Sequence, residues 1–193
     1  DGIKIQTSSN SSYYLQYRTW NQGQSGYYPY VKSNIDDYAG SSGKPIQRLQ
    51  IQAYKNDGTK LTSGVVVMYR VRVDGKWLDW VSNADPEWMQ SVQKKYNLDG
   101  GLDTSASFAG VSTGATISGV EIRVFEEDNI SGGGSSGDYS GEEVSPSLSY
   151  LSNGSWKSFN KVVTAAPIDG IKIQTSSNSS YYLQYRTWNQ GQS

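Results

Sequence analysis

Residues Val67 to Val81 read VMYRVRVDGKWLDWV. An alternating run meets an Asp-Gly pair, and a second run follows with two tryptophans three residues apart. Alternation with period two marks strands, and Asp-Gly between them is the strongest short-range hairpin signal a sequence offers. With Asp74 and Gly75 as a two-residue turn, the register is fixed. Val73 then faces Lys76, Arg72 faces Trp77, Val71 faces Leu78, Arg70 faces Asp79 and Tyr69 faces Trp80. Successive side chains alternate faces, so Tyr69, Val71, Leu78 and Trp80 form an apolar face. Arg70, Arg72, Trp77 and Asp79 form a polar face with one aromatic. On that face Arg70 is expected to pair with Asp79. Arg72 is expected to lie over the Trp77 ring, a cation–π contact worth about 0.5–1 kcal/mol at an exposed site.

The same grammar occurs twice more. LQYRTWNQGQSGYYPYV (Leu15–Val31) and LSYLSNGSWKSFN (Leu148–Asn160) each hold a run, a Gly-containing turn and a second run. Their aromatic pairs are Tyr27/Tyr30 and Trp156/Phe159, matching Trp77/Trp80. Downstream come AGSSGKPIQRLQI (Ala39–Ile51), AGVSTGATISGVEI (Ala109–Ile122) and TAAPIDGIKI (Thr164–Ile173), all ending Ile-x-x-apolar-x-Ile. Three repeats therefore fill one domain over residues 1–168, at about 6–58, 59–130 and 144–173. In the first, Tyr17 and Tyr30 are expected on the core face and Arg18, Trp20 and Tyr27 on the other. In the third, Asn153-Gly154 sets Leu151 opposite Trp156, Ser149 opposite Ser158 and Leu148 opposite Phe159.

Two segments depart from the pattern. ADPEWMQSVQKKYNL predicts one short inserted helix: Asp85 as N-cap, Pro86 at the first helical position, Glu87 in the first turn, and Trp88, Val92 and Tyr96 on one face. Residues 131–143 read as a flexible loop whose acidic residues match no calcium-loop spacing. The expected fold is all-β, a pseudo-three-fold β-prism-like domain of hairpin-based repeats, with a β-trefoil as the alternative.

DGIKIQTSSNSSYYLQYRTWNQGQS stands at Asp1–Ser25 and again at Asp169–Ser193. A closed three-fold structure has one slot beside the third hairpin, and residues 1–5 and 169–173 both fit it. Residues 169–193 thus read as the start of a next tandem unit, a deliberate duplication, or a strand exchanged with another molecule. The run from Tyr181-Tyr182 to Trp188 would be an apolar edge in search of a partner. The chain starts inside a strand pattern and reads as a segment of a longer polypeptide, with no signal peptide of its own.

Composition narrows the chemistry. The chain has 193 residues, net charge -1, no His and no Cys. Without them there is no thiolate or Ser-His-Asp nucleophile, and the usual zinc ligands are missing. No basic stripe marks a nucleic-acid surface, and no apolar run is long enough to span a membrane. Carboxylates such as Asp79, Glu121 and Glu126 form no pair of the kind a glycosidase needs. The reading is non-catalytic, without cofactor or metal. Fifteen Tyr and six Trp against three Phe favour surfaces that are apolar on one side and polar at the tip. Trp77 has two readings: a cross-strand strut, or a platform on which a sugar ring packs while Arg70, Arg72 and Asp79 take its hydroxyls. Trp20, Tyr27 and Arg18, and Trp156, are the matching candidates in the other repeats.

The Gly-aromatic-x-x-aromatic-Val hairpin, Ala-Gly-x-x-Gly and Ile-x-x-apolar-x-Ile resemble the clostridial hydrophobic repeats with a characteristic tryptophan. YRVRVDGKWLDWVSNADPEWMQSVQKKYNLDGGLDTSASFAGVSTGATISGVEIRVFEE is similar to C-terminal cell-wall-binding modules of Firmicute autolysins and phage endolysins. Tyr27 stands where the family pattern has Trp. The resemblance implies a secreted, non-catalytic carbohydrate-binding module on the cell wall or surface, with a polysaccharide or peptidoglycan-associated glycan as partner. The alternative from another class is a structural or adhesive repeat that self-associates through its duplicated ends.

Overall fold

The computed structural model describes residues 5–6, 12–33, 38–127, 139–144, 146–164 and 170–175. Most of the loop over 131–143 and the run from Tyr181 to Trp188 lie outside the described residues. The elements fall into three sets. The first holds β1 (Ile5–Gln6), β2 (Tyr13–Asn21), β3 (Val31–Lys32), β4 (Ile46–Lys55) and β5 (Lys60–Leu61). The second holds β6 (Val65–Val73), β7 (Lys76–Trp77), β8 (Val81–Ser82), α1 (Pro86–Tyr96), β9 (Ala109–Gly110) and β10 (Ile117–Glu126). The third holds β11 (Glu142–Val144), β12 (Pro146–Ser152), β13 (Ser155–Phe159), β14 (Val162–Thr164) and β15 (Gly170–Thr175). The protein is all-β apart from one short helix.

Each repeat builds a sheet on one long antiparallel pair: β2 with β4, β6 with β10, and β12 with β15. The registers make the three equivalent. Arg18 stands opposite Gln50, Arg70 opposite Glu121 and Ser149 opposite Lys172. The repeats also lend strands to one another. β9 of the second repeat pairs with β4 of the first, and β14 of the third pairs with β10 of the second. Ala109-Gly110 and Val163-Thr164 hold the same place in these ladders, so Val163-Thr164 is the third repeat's counterpart of the Ala-Gly motif. Gly110 sits at φ +135, and a Cβ there would meet the Gln47 carbonyl and the Arg48 backbone. Positive φ and close backbone approach together explain that glycine.

One core is shared. Tyr17, Tyr69 and Leu148 occupy equivalent positions and are buried together with Leu49, Ile51, Val71, Val120 and Ile122. β6 is buried on both faces over its first half: Val65, Val67 and Tyr69 face this core, while Val66 and Met68 face a second cluster. That second cluster is roofed by α1, which contributes Met89 and Val92. Burial on both sides is why VVVM reads as a continuous apolar run. Asp85 precedes α1 without a side-chain capping bond, Pro86 opens the helix, and Asn97 closes it in the left-handed conformation.

The Asp-Gly turn sets the expected register only part of the way. Val73 faces Lys76 and Arg72 faces Trp77, and Leu78 N–H still donates to the Val71 carbonyl. Beyond that, Tyr69 faces Val81, not Trp80. One extra residue on the second strand is a β-bulge, and a one-residue slip moves the following side chains to the other face. Trp80 is therefore buried in the second cluster, away from Tyr69 and Val71. The first repeat slips in the same way: Tyr17 faces Val31, not Tyr30. The third repeat does not slip, and Leu151–Trp156, Ser149–Ser158 and Leu148–Phe159 pair as the turn dictates.

Candidate functional site

The bulge decides what the second repeat's polar face becomes. It carries Trp80 onto the Arg70 side, so the guanidinium lies between two indoles, 5.2 Å from the Trp77 ring centre and 4.4 Å from that of Trp80. Arg70 is only 6% exposed. Its Nε donates to Glu121 Oε2 at 2.9 Å, Nη1 to the Asp99 carbonyl at 3.0 Å, and Nη2 to Asp99 Oδ1 at 2.9 Å. The expected Arg70–Asp79 pair does not form. Glu121 stands directly opposite on β10, and the bulge has moved Asp79 off the ladder. The expected stacking of Arg72 on Trp77 is replaced by that of Arg70, while Arg72 Nε donates to the Gly75 carbonyl at 3.1 Å. Trp77 is half-buried over Gly119, where a Cβ would collide with Arg72 and crowd the indole.

The first repeat repeats this clamp with other residues. Arg18 lies 4.3 Å from the ring centres of both Tyr27 and Tyr30. Its Nε donates to Gln50 Oε1 at 2.8 Å, and Tyr30 donates to the same oxygen at 2.7 Å. Gln50 is thus the counterpart of Glu121, and Tyr30, expected on the core face, is carried to the Arg18 side as Trp80 is to that of Arg70. Trp20 meets Tyr27 edge to face at 5.4 Å, with Arg48 over its ring at 4.5 Å. In both repeats the platform aromatic lies against a guanidinium whose Nε donates to an acceptor on the facing strand, and in the second repeat Nη1 and Nη2 are engaged as well. In the third repeat Ser149 takes the arginine position, the basic residue Lys172 stands on the opposite strand, and no slip brings a second ring across. Trp156 is left 44% exposed.

The borrowed strands bring a further aromatic to the platforms. The residue before Ala109-Gly110 is Phe108, whose ring lies 6.4 Å from that of Tyr27. The residue before Ala39-Gly40 is Tyr38, which meets Trp156 edge to face at 6.0 Å and 67°. Tyr38 is itself 44% exposed. The corresponding Val162 stands opposite Glu121 and is exposed. Two of the three junctions thus join a platform aromatic of one repeat to an aromatic from another. The signal was present in the sequence as an aromatic immediately before Ala-Gly, at Tyr38 and Phe108, and sequence reasoning passed over it.

A cavity of about 260 Å³ adjoins the first of these junctions, lined by Leu78, Asp79, Val81, Asp103, Ala106 and Phe108. The Tyr27 hydroxyl, whose ring meets Phe108 of this lining, is buried without a hydrogen bond of normal geometry, with Arg48 close by. Burial raises its pKa against the opposing charges of Arg48 and Arg18. Asp79 and Asp103 bring two carboxylates to this cavity. The Ser105 side chain, and then the backbone N–H groups of Ser105 and Ala106, hold the Asp103 carboxyl below its usual range against slight desolvation. A glycosidase acid needs the opposite, a carboxyl kept protonated by apolar surroundings, and Asp79 is solvent-exposed. Among the described residues no three acidic side chains gather as a metal site, and no helix is long and apolar enough to cross a membrane. No family model, curated protein or solved structure matches this chain.

Proposed function

We propose that this chain is a non-catalytic carbohydrate-binding module that holds a secreted protein on bacterial cell-wall or surface polysaccharide, and that its fold is a pseudo-three-fold β-prism-like arrangement. The observation that carries the reading is the Tyr38–Trp156 pair, two rings from different repeats meeting edge to face while each stays 44% exposed. A sugar packs its C–H face on such a ring and turns its hydroxyls to polar neighbours, and aromatic rings with a polar tip suit that wet, half-apolar contact. The first junction supports the reading with a buried, unsatisfied Tyr27 hydroxyl on a ring that meets Phe108 of the cavity lining, since a buried polar atom without a partner calls for an explanation. Arg18 and Arg70 act in it as props that hold Tyr27 and Trp77, not as ligand donors. Several weak sites on one module raise avidity on a repeating polymer.

The test is co-sedimentation of the full chain with purified Firmicute cell walls. The parent protein is expected in the pellet, and Trp156→Ala and Tyr38→Ala in the supernatant with unchanged circular dichroism. Trp77→Ala probes the second junction in the same assay. A folded parent protein that stays in the supernatant refutes the reading.

A further inference from the structure

Residues 169–193 repeat residues 1–25 letter for letter, and the structure uses strands from both copies. β15, from the second copy, lies antiparallel on β12 through six residue pairs, from Leu151 opposite Gly170 to Pro146 opposite Thr175. β1, from the first copy, lies parallel to β15, with Ile5 opposite Ile173 and Gln6 opposite Gln174. Those partners are the same residues of the duplicated segment, 168 positions apart. Two chemically identical strands therefore lie side by side, and one of them holds the place beside β12. β1 is parallel to β15 and β15 antiparallel to β12, so β1 already has the direction that place requires.

The place has a defined role in the fold. β15 does in the third sheet what β4 and β10 do in the first two, and each of those runs on into the next repeat's long strand, β6 or β12. In both copies the duplicated strand is followed by Ser-Ser-Asn-Ser-Ser and then by Tyr-Tyr-Leu-Gln-Tyr-Arg-Thr-Trp-Asn, the sequence of β2. A strand beside β12 thus leads either to this copy's own β2 or to the β2 sequence of a following copy. Sequence identity leaves the β12 edge nothing by which to distinguish the donors. β15 fills that edge here, and a donor strand of the same sequence can take its place, which is the condition for strand exchange.

We propose that the edge of β12 is a docking groove for the Gly-Ile-Lys-Ile-Gln-Thr strand of a second copy of this chain, so that copies join by strand donation. The incoming strand takes the register that β15 holds, which sets its Gln6 opposite Ser147, where Gln174 now stands. This inference is independent of glycan binding.

The chain has no cysteine, so introduced thiols report without background. Opposed residues of an antiparallel pair have Cα atoms roughly 4.5–5.5 Å apart, within the span a disulfide closes. Full-length Ser147→Cys and Gln6→Cys proteins are incubated together, oxidised and run on a non-reducing gel, with each protein alone as background. The expected result is a disulfide-linked dimer above background only in the mixture, rising with concentration. Its yield should increase several-fold when the Ser147→Cys chain also carries Ile171→Asp and Ile173→Asp, which weaken its own β15. Should that variant not fold, the otherwise parental mixture decides alone. Absence of the mixed dimer in folded proteins overturns the proposal. So does a Ser147→Cys/Gln6→Cys single chain that cross-links only within itself at every concentration, because the strand is then a clasp for its own domain.

Discussion

Removing the Arg70 guanidinium should cost more than any surface substitution in the chain, and the structure gives the reason. The Arg70 side chain is 7% exposed and Glu121 14%, with Nη2 and Oε2 at 2.8 Å. Arg70→Met keeps much of the stem but leaves the Glu121 carboxylate shielded from water without its cation. Breaking a buried pair from one side costs about 3–5 kcal/mol. The Asp99 partner is 85% exposed, so that ion pair adds little. The lost stacking on Trp77 and Trp80 adds on the order of 0.5–2 kcal/mol. The expected loss is therefore about 3.5–7 kcal/mol, or a fall in Tm of roughly 7–28 °C for a domain of this size. Glu121→Gln should cost about 1 kcal/mol, because an amide oxygen still accepts from Arg70, and Gln50 already does so for Arg18. Arg70→Met with Glu121→Met should recover most of the single-variant loss, since an apolar pair replaces both buried charges. Urea unfolding followed by tryptophan fluorescence measures all three. An Arg70→Met protein within about 1 kcal/mol of the parent, or a double variant no more stable than Arg70→Met alone, refutes the buried-clamp argument.

Glu143 should make stability depend on pH in the acid range. Burial pushes its carboxyl up, but hydrogen bonds from Arg123 and Lys161 outweigh that and hold it below the ordinary glutamate range. A depressed folded-state pKa gives stability that is fully present above the unfolded value and lost as pH falls through the folded one. Glu143→Gln should therefore be less stable than the parent protein at pH 7, with the gap closing under acid; a gap of constant size across that range counts against the assignment. Asn83 is 8% exposed and accepts from the Val67 N–H while donating to the Leu61 and Val65 carbonyls. Asn83→Ala orphans three backbone groups and should cost about 2–4 kcal/mol in chemical denaturation; a loss below about 1 kcal/mol would mean that water reaches them.

How far the sequence could be read is set by the turns. Asn153-Gly154 fixes every pair of its hairpin down to Leu148 opposite Phe159. Asp74-Gly75 fixes its hairpin as far as Leu78, and the bulge that follows then reverses the faces. Nothing local announces that bulge. Trp80 gains the second cluster under α1 by slipping, and a cluster built from residues 66, 89, 92 and 125 is invisible in a window of fifteen. The same limit explains the misassigned partner of Arg70. Hairpin arithmetic offers Asp79, but the winning acceptor, Glu121, lies 51 residues away on β10. Repeat alignment would have reached it, because Gln50 and Glu121 occupy the same position of the Ile-x-x-apolar-x-Ile motif. The helix, by contrast, was legible because Pro86, the acidic first turn and the spacing of Trp88, Val92 and Tyr96 are all local.

The three repeats have diverged by a physical trade within one geometry. Where an arginine stands beside the platform aromatic, the strand slips, a second ring closes over the cation, and the polar face turns inward to serve the sheet. Arg18 and Arg70 both follow that course, each with its acceptor on the facing strand. Where serine replaces arginine, at Ser149, there is no cation to enclose, the hairpin stays in register and the indole of Trp156 remains in water. An exposed indole costs apolar surface that a stability-driven sequence would bury. It is nevertheless met there by Tyr38, a second exposed ring from a different repeat. The repeat with the weakest sequence match to the others is thus the one whose platform is least committed to the fold. That makes the Trp156 junction the place where losing a ring should cost binding before it costs stability.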